Sequence, residues 1–154
     1  MWRGGEELAL REVEMKATSV LETVLYARDL DAARAFYADV LGLDLYSEVK
    51  GRHVFFRLEG QMVLIFNPDA TEVPPKPGAL PVPPHGARGS GHVCFSAAGA
   101  QMDAWRAHLA TKGIAVEADF VWPNRDAAKQ GASIYFRDPA GNSIEIAEAR
   151  IWGL

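Results

Sequence analysis

Two kinds of hydrophobic spacing alternate along this chain, and they do so twice in the same order. From Val20 to Ala27, apolar and β-branched residues crowd together as in a strand. Asp29 stands where a helix cap belongs, ahead of DAARAFYADVL, and Gly42 stops the helical spacing. Three short strand-like runs follow, LDLYSEV, RHVFFRLE and QMVLIFN, with Gly51 and Gly60 at the turns. The second half repeats the plan. HVCFSA reads as a strand, AQMDAWRAHLATK as a helix stopped by Gly113, and IAVEADFVW, ASIYFRD and NSIEIAEA as three more strands. Asp138 to Asn142, DPAGN, is a strong turn signal before the last of them. Each half is β-α-β-β-β.

Between the halves, Pro68 to Arg88 holds seven of the nine prolines. Proline removes a backbone donor and fixes φ, so this stretch is predicted to be neither a central strand nor a helix, but a linker or a loop across a cleft. The predicted boundaries are an N-terminal extension at 1–18, then one domain at 19–149. Within it, module one spans 19–67, the proline-rich linker 68–89 and module two 90–149. The extension has no counterpart in the repeat; its EELALREVE stretch suits either a helix or no fixed structure. The predicted fold class is α+β, two βαβββ modules forming a curved mixed sheet around one cleft.

Composition narrows the function classes. A length of 154 residues with 49% hydrophobic residues supports one domain with a proper core. Sixteen basic and twenty acidic residues leave a net charge of −4 with no basic cluster, which argues against nucleic acid and anionic membranes as partners. A single cysteine, Cys94, excludes an intramolecular disulfide and a cysteine-rich zinc site. No apolar run approaches the ~20 residues of a membrane helix, and the N-terminus lacks a signal-peptide core, so a cytoplasmic location is expected.

Strand alternation sends every second side chain to one face. Glu22, Val24 and Tyr26 oppose Leu21, Thr23 and Leu25; His92 and Cys94 oppose Val93 and Phe95; Glu145 opposes Ile144 and Ile146. If the apolar sets cover the helices, Glu22, His92 and Glu145 all point away from them, toward the inside of a curved sheet. Ionisable groups there are costly unless paired or metal-bound.

The run LETVLYARDLDAARAFYADVLGLDL, with FY in the helix and LGL at its end, resembles the opening module of the vicinal oxygen chelate superfamily, which includes glyoxalase I, extradiol dioxygenases and bleomycin-resistance proteins. GSGHVCF and FRDPAGNSIEI resemble its second module. The resemblance covers about residues 19 to 149 and implies a glyoxalase-like fold. It also implies metal ligands on the first and last strand of each module. Carried over by position, these are Glu22, where members more often have His or Gln, then His92 and Glu145, which match. Aligning Gly60 with Gly141 puts Leu64 where a fourth ligand belongs. The implied cofactor is one divalent ion (Zn, Ni, Mn or Fe(II)) held by Glu22, His92 and Glu145, with open positions for adjacent substrate oxygens. Resemblance to glyoxalase I lets Glu145 or Glu22 double as the catalytic base. A homodimer is also implied, because members commonly pair modules across chains.

The plainer alternatives are a structural His92–Glu145 pair and a Glu22 that pairs with Arg52 or Arg137. Arg52, His85, Trp122 and Arg137 are the candidate substrate contacts. Arg52 and His53 have opposite parity, and the sequence leaves open which faces inward. His108 is expected to face solvent, Trp105 to join the core, and Cys94 to be a buried inert thiol. The leading functional reading is a metal-dependent enzyme acting on a small oxygenated substrate as lyase, isomerase or dioxygenase. The alternative is a bleomycin-resistance-type protein that sequesters a small molecule without catalysis.

Overall fold

The computed structural model describes residues 15–154, so the EELALREVE stretch lies outside the described residues. Eight strands form two four-stranded mixed sheets. Module one contains β1 (Glu22–Tyr26), α1 (Leu30–Ala35), β2 (Asp44–Val49), β3 (His53–Leu58) and β4 (Gln61–Phe66), in the sheet order β1-β4-β3-β2. After a short α2 (Pro68–Thr71), module two contains β5 (His92–Ser96), α3 (Met102–Thr111), β6 (Val116–Val121), β7 (Ala132–Arg137) and β8 (Ser143–Ala147), in the order β5-β8-β7-β6. Each module pairs its first and last strands in parallel and the rest antiparallel.

The repeat extends to single residues. Val24 pairs with Leu64 in the first sheet, and Cys94 with Glu145 in the second. Glu22 therefore occupies the register position of His92, and Leu64 that of Glu145.

Asp29 caps α1, its carboxylate accepting from the Ala32 amide at 2.9 Å. The helix then widens into a π-helical turn at Phe36–Val40, which buries both Phe36 and Tyr37. Gly42 ends it at φ +67°, where a side chain would be strained. The Phe36 ring lies 6.2 Å from Phe136 on β7, and the Tyr37 ring 5.6 Å from Phe56 on β3. One helix thus joins the inner faces of both sheets. Leu25, Phe56 and Ile65 share a single core with Ile134, Phe136 and Ile144, so the opposite face of each sheet looks away from it.

The DPAGN turn is the polar joint of this arrangement. Buried Asp138 accepts from the Tyr37 hydroxyl at 2.8 Å and from the Asn142 side chain at 2.8 Å. Asn142 donates to the Tyr26 carbonyl at 3.2 Å and accepts from the Gly91 amide at 2.8 Å. These bonds tie module two to β1 and α1 in a place where unpaired polar groups would be costly.

Three expectations need correction. The proline-rich segment contains one helical turn, Pro68–Thr71, because proline is well tolerated in the first turn of a helix and Asn67 caps it. His108 does not face solvent; it is half-buried and its Nε2 donates to the Val40 carbonyl at 2.8 Å, satisfying the end of the first helix. Cys94 is exposed rather than buried, because it stands on the outer face of an edge strand. Trp105 packs partly buried against the core, as expected. No helix among the described residues is long and apolar enough to cross a membrane.

Candidate functional site

The outer face of the second sheet collects most of the chemistry. β5 supplies His92 and Cys94, β8 supplies Glu145, and β7 supplies Ser133 and Tyr135. His92 Nδ1 lies 3.1 Å from the Ser143 carbonyl, and a carbonyl only accepts, so Nδ1 carries a hydrogen. That leaves Nε2 directed at Glu145 Oε2, 3.3 Å away. A bare ring nitrogen and a carboxylate oxygen repel at this distance; a shared proton or cation removes the conflict. Glu145 is only 5% exposed, and its Oε1 is buried without a hydrogen-bond partner. A buried carboxylate oxygen is stable only with a donor or a cation beside it. The donor set suits a divalent ion, since an imidazole nitrogen and a carboxylate are common ligands of such ions.

The surroundings are apolar and aromatic. Phe120 stacks on Tyr135 with ring centres 5.9 Å apart, and Tyr135 stacks on His92 at 6.2 Å. Trp122 donates its indole N–H to Ser133 Oγ at 2.8 Å, which fixes the ring at the edge of this face. Burial and then the Glu145 carboxylate push the Tyr135 phenol up to about 12. Cys94 is exposed as a residue, but its thiol lies partly shielded beside Glu145, and this loss of solvent, then the Glu145 charge, push it up to about 12. Cys94 is therefore a poor nucleophile at neutral pH although it is exposed.

The outer face of the first sheet is different. Glu22 is exposed on β1, followed on the same face by Val24 and Tyr26, with Met62, Leu64 and Phe66 alongside on β4. Val54 and Phe56 are core residues, so His53 is the member of the Arg52–His53 pair that lies on the outer face of β3. Its ring stacks on Phe55 at 3.8 Å, and both ring nitrogens are buried without partners. Burial, and then the nearby Arg52 charge, lower its pKa. The sequence left open which of Arg52 and His53 faces inward; the burial of Val54 and Phe56 decides it.

The predicted residues are thus divided. His92 and Glu145 come together within one chain. Glu22 stands on the other sheet, and no group of three or more His, Cys, Asp or Glu among the described residues is placed to hold a metal. Arg137 is engaged by Glu117 at 2.9 Å and by Ser90, and Arg52 donates to the Ala70 carbonyl at 3.1 Å. His85 reaches module one, with Nδ1 2.8 Å from the Tyr26 hydroxyl and its ring edge-on to Phe66.

Paired βαβββ modules of identical topology, with His and Glu on the first and last strands of the second, define a recognisable class of protein. Residues 19–146 match the Glyoxalase/Bleomycin resistance protein/Dioxygenase superfamily, and the chain belongs to that family. A solved structure from Agrobacterium tumefaciens, named a lactoylglutathione lyase, is 41% identical. It superposes with a TM-score of 0.83 over 91% of this chain and 100% of its own. A glyoxalase/dioxygenase from Nostoc punctiforme is 25% identical with a TM-score of 0.58, over 84% of this chain and 89% of its own. A glyoxalase/bleomycin resistance protein/dioxygenase from Nocardioides, at 21% identity and a TM-score of 0.65 over 88% of this chain and 86% of its own, shares the fold. No curated protein sequence matches closely enough to add to these.

Proposed function

We propose that the protein is a metal-dependent glyoxalase-type enzyme acting on a small oxygenated substrate, with a lyase or isomerase reaction favoured over ring-cleaving dioxygenation. The observation that carries this reading is the His92–Glu145 pair, with Nε2 turned to the carboxylate and a buried Glu145 oxygen left without a donor. The relative named a lactoylglutathione lyase, at 41% identity, supports the lyase direction. One imidazole with two glutamates also differs from the two-histidine, one-carboxylate set of non-heme iron oxygenases.

Glu22 is the proposed third ligand, and it is to be supplied by a second copy of the chain. β1 and β5 are each an edge strand of their sheet, and Glu22 and His92 stand at equivalent positions on them. A homodimer that sets the β1 edge of one chain against the β5 edge of the other brings the outer face carrying Glu22 and the outer face carrying His92 and Glu145 into one cleft. A bound divalent ion there supplies Lewis-acid polarisation of adjacent substrate oxygens. The chain's own residues do the remainder. Glu145 or Glu22 takes a proton from the carbon next to the substrate carbonyl and returns it to a neighbouring atom. Trp122 provides a fixed aromatic edge and Arg137 a polar contact at the margin, whereas Arg52 and His85 line a separate cavity on module one.

The test is calorimetric titration of metal-stripped protein with zinc, nickel, manganese and iron(II), repeated on His92→Ala. Saturable binding that this substitution abolishes supports the proposal. Absence of binding by the wild type would refute it. The reading would then pass to sequestration of a small molecule without catalysis, as in bleomycin resistance. One observation favours that second reading, namely the aromatic lining of Phe120, Trp122 and Tyr135, which offers stacking surface to a flat or cationic ligand.

A further inference from the structure

Beneath the proline-rich loop lies a cavity of about 490 Å³ that none of Glu22, His92 and Glu145 lines. It is held open by short-range bonds of the loop itself, Ala79 N–H to the Lys76 carbonyl at 3.0 Å and Val82 N–H to the Leu80 carbonyl at 2.8 Å. The far end of the loop is anchored to α2 by the His85 amide, which donates to the Thr71 carbonyl at 3.0 Å. Prolines stiffen the intervening chain, so little further ordering is needed on binding.

The lining combines two features seldom left unmatched on a protein surface. Val73, Leu80 and Val82 are large apolar residues that remain exposed at the cavity. Arg52 and Lys76 line it too, with His85, and no carboxylate does. Other cations of the neighbourhood are neutralised: Arg28 pairs with Asp69, and Arg88 with Asp69 and Glu72. Arg52 and Lys76 belong to no ion pair among the described residues. Arg52 is also held in place, since one guanidinium nitrogen is bonded to the Ala70 carbonyl at 3.1 Å while the rest of the fork is free. In a chain of net charge −4, a cavity with cations and no acid is a local inversion of sign.

We propose that this cavity is a second binding site, distinct from the His92–Glu145 centre, for a small carboxylate with an apolar body. The carboxylate engages Arg52 and Lys76, with His85 as a further polar contact, and the body covers Val73, Leu80 and Val82. The proposal stands whether or not the His92–Glu145 centre holds a metal.

The experiment compares 4-phenylbutyrate with 4-phenylbutan-1-ol, which share the apolar body and differ in charge, by calorimetry and methyl NMR on metal-stripped protein. The acid is expected to bind about tenfold or more tightly than the alcohol, as a charge-assisted contact requires. It should perturb the Val73, Leu80 and Val82 methyls, and Arg52→Met should weaken it about tenfold. Lys76→Met should weaken it roughly threefold, the smaller effect of a flexible exposed charge, and added salt should weaken it further. Both side chains are exposed, so these variants leave the core intact. Equal binding of acid and alcohol, no binding of the acid, or indifference to both substitutions would overturn the proposal. So would loss of binding in His92→Ala with Arg52 intact, which would place the ligand on the second sheet.

Discussion

The two modules use one backbone plan and fill it with opposite chemistry. At equivalent register positions the first sheet carries Glu22 and Leu64, and the second carries His92 and Glu145. Next to these, Phe55 of the first corresponds to Tyr135 of the second, and His53 to Ser133. On the inner face, Phe56 and Phe136 are equivalent and both wholly buried. The inner face must fill the same shared core in both modules, so its residues stay apolar and of similar size. The outer face carries no such packing duty, and there one module sets an exposed His92 against a buried Glu145 while the other becomes apolar around Leu64.

The largest effect expected from breaking this comparison is at the polar pair. His92→Ala removes the proposed nitrogen ligand and should lower affinity for a divalent ion by about a hundredfold or more, exceeding the usual cost of disturbing only a supporting residue. Glu22→Gln should also weaken binding. Mixed dimers of Glu22→Gln and Glu145→Gln chains should regain one intact site per dimer, read as partial recovery of metal binding on mixing. No recovery would count against sharing of the site between chains.

The inner faces should behave alike. Phe56→Ala and Phe136→Ala should each lower the unfolding free energy by about 3–5 kcal/mol, measured by denaturant titration. A cost at one position several times that at the other would mean that the two modules are not equal partners in the core.

Leu64→Glu carries the polar pattern of the second sheet into the first. Leu64 is 7% exposed, so the new carboxylate should destabilise the metal-free protein by about 1–3 kcal/mol. Added metal should restore stability and bind more tightly than in the wild type. Loss of stability without metal rescue would show that this position does not reach the ion.

The strand ends differ in their sensitivity to acid. Buried Glu148, just after β8, has its pKa lowered by Arg150, 2.8 Å away, and by the Ala132 amide, 2.7 Å away. Asn67, the matching residue after β4, is a neutral amide. A carboxylate with a depressed folded pKa contributes stability above its unfolded pKa and loses it as pH falls through the folded value. Glu148→Gln should therefore reduce stability at neutral pH and flatten the loss on acidification, seen as melting temperature against pH. An unchanged acid slope would sink this assignment. The smallest effect should come from Asp29→Ala, which removes the cap of α1 at about 1 kcal/mol.

Much of this was legible in the chain because it is governed by neighbours in sequence. Strand alternation put Glu22, His92 and Glu145 on equivalent faces, and the Gly60–Gly141 alignment paired Leu64 with Glu145, as the register then did. The FRDPAGN motif announced a turn. Its role as the joint that binds Tyr37, Tyr26 and Gly91 was not visible, because those partners lie 51 to 116 residues away and meet it only when the two sheets pack. His108 was misread for the same reason: charged residues such as Arg106 and Lys112 share its predicted helix, but the Val40 carbonyl it meets comes from the other module.

The sequence by itself determined the two βαβββ modules, the parity of their polar residues and the family, because periodicity and turn chemistry act over a few residues. Tertiary structure alone decided which of these residues meet. It placed His92 against Glu145 and left Glu22 on a separate sheet. It turned His53 outward and opened a cavity between Arg52 and His85. Each of these depends on how two sheets pack around one shared core, and hydrophobic spacing specifies that a face is buried without specifying what it is buried against.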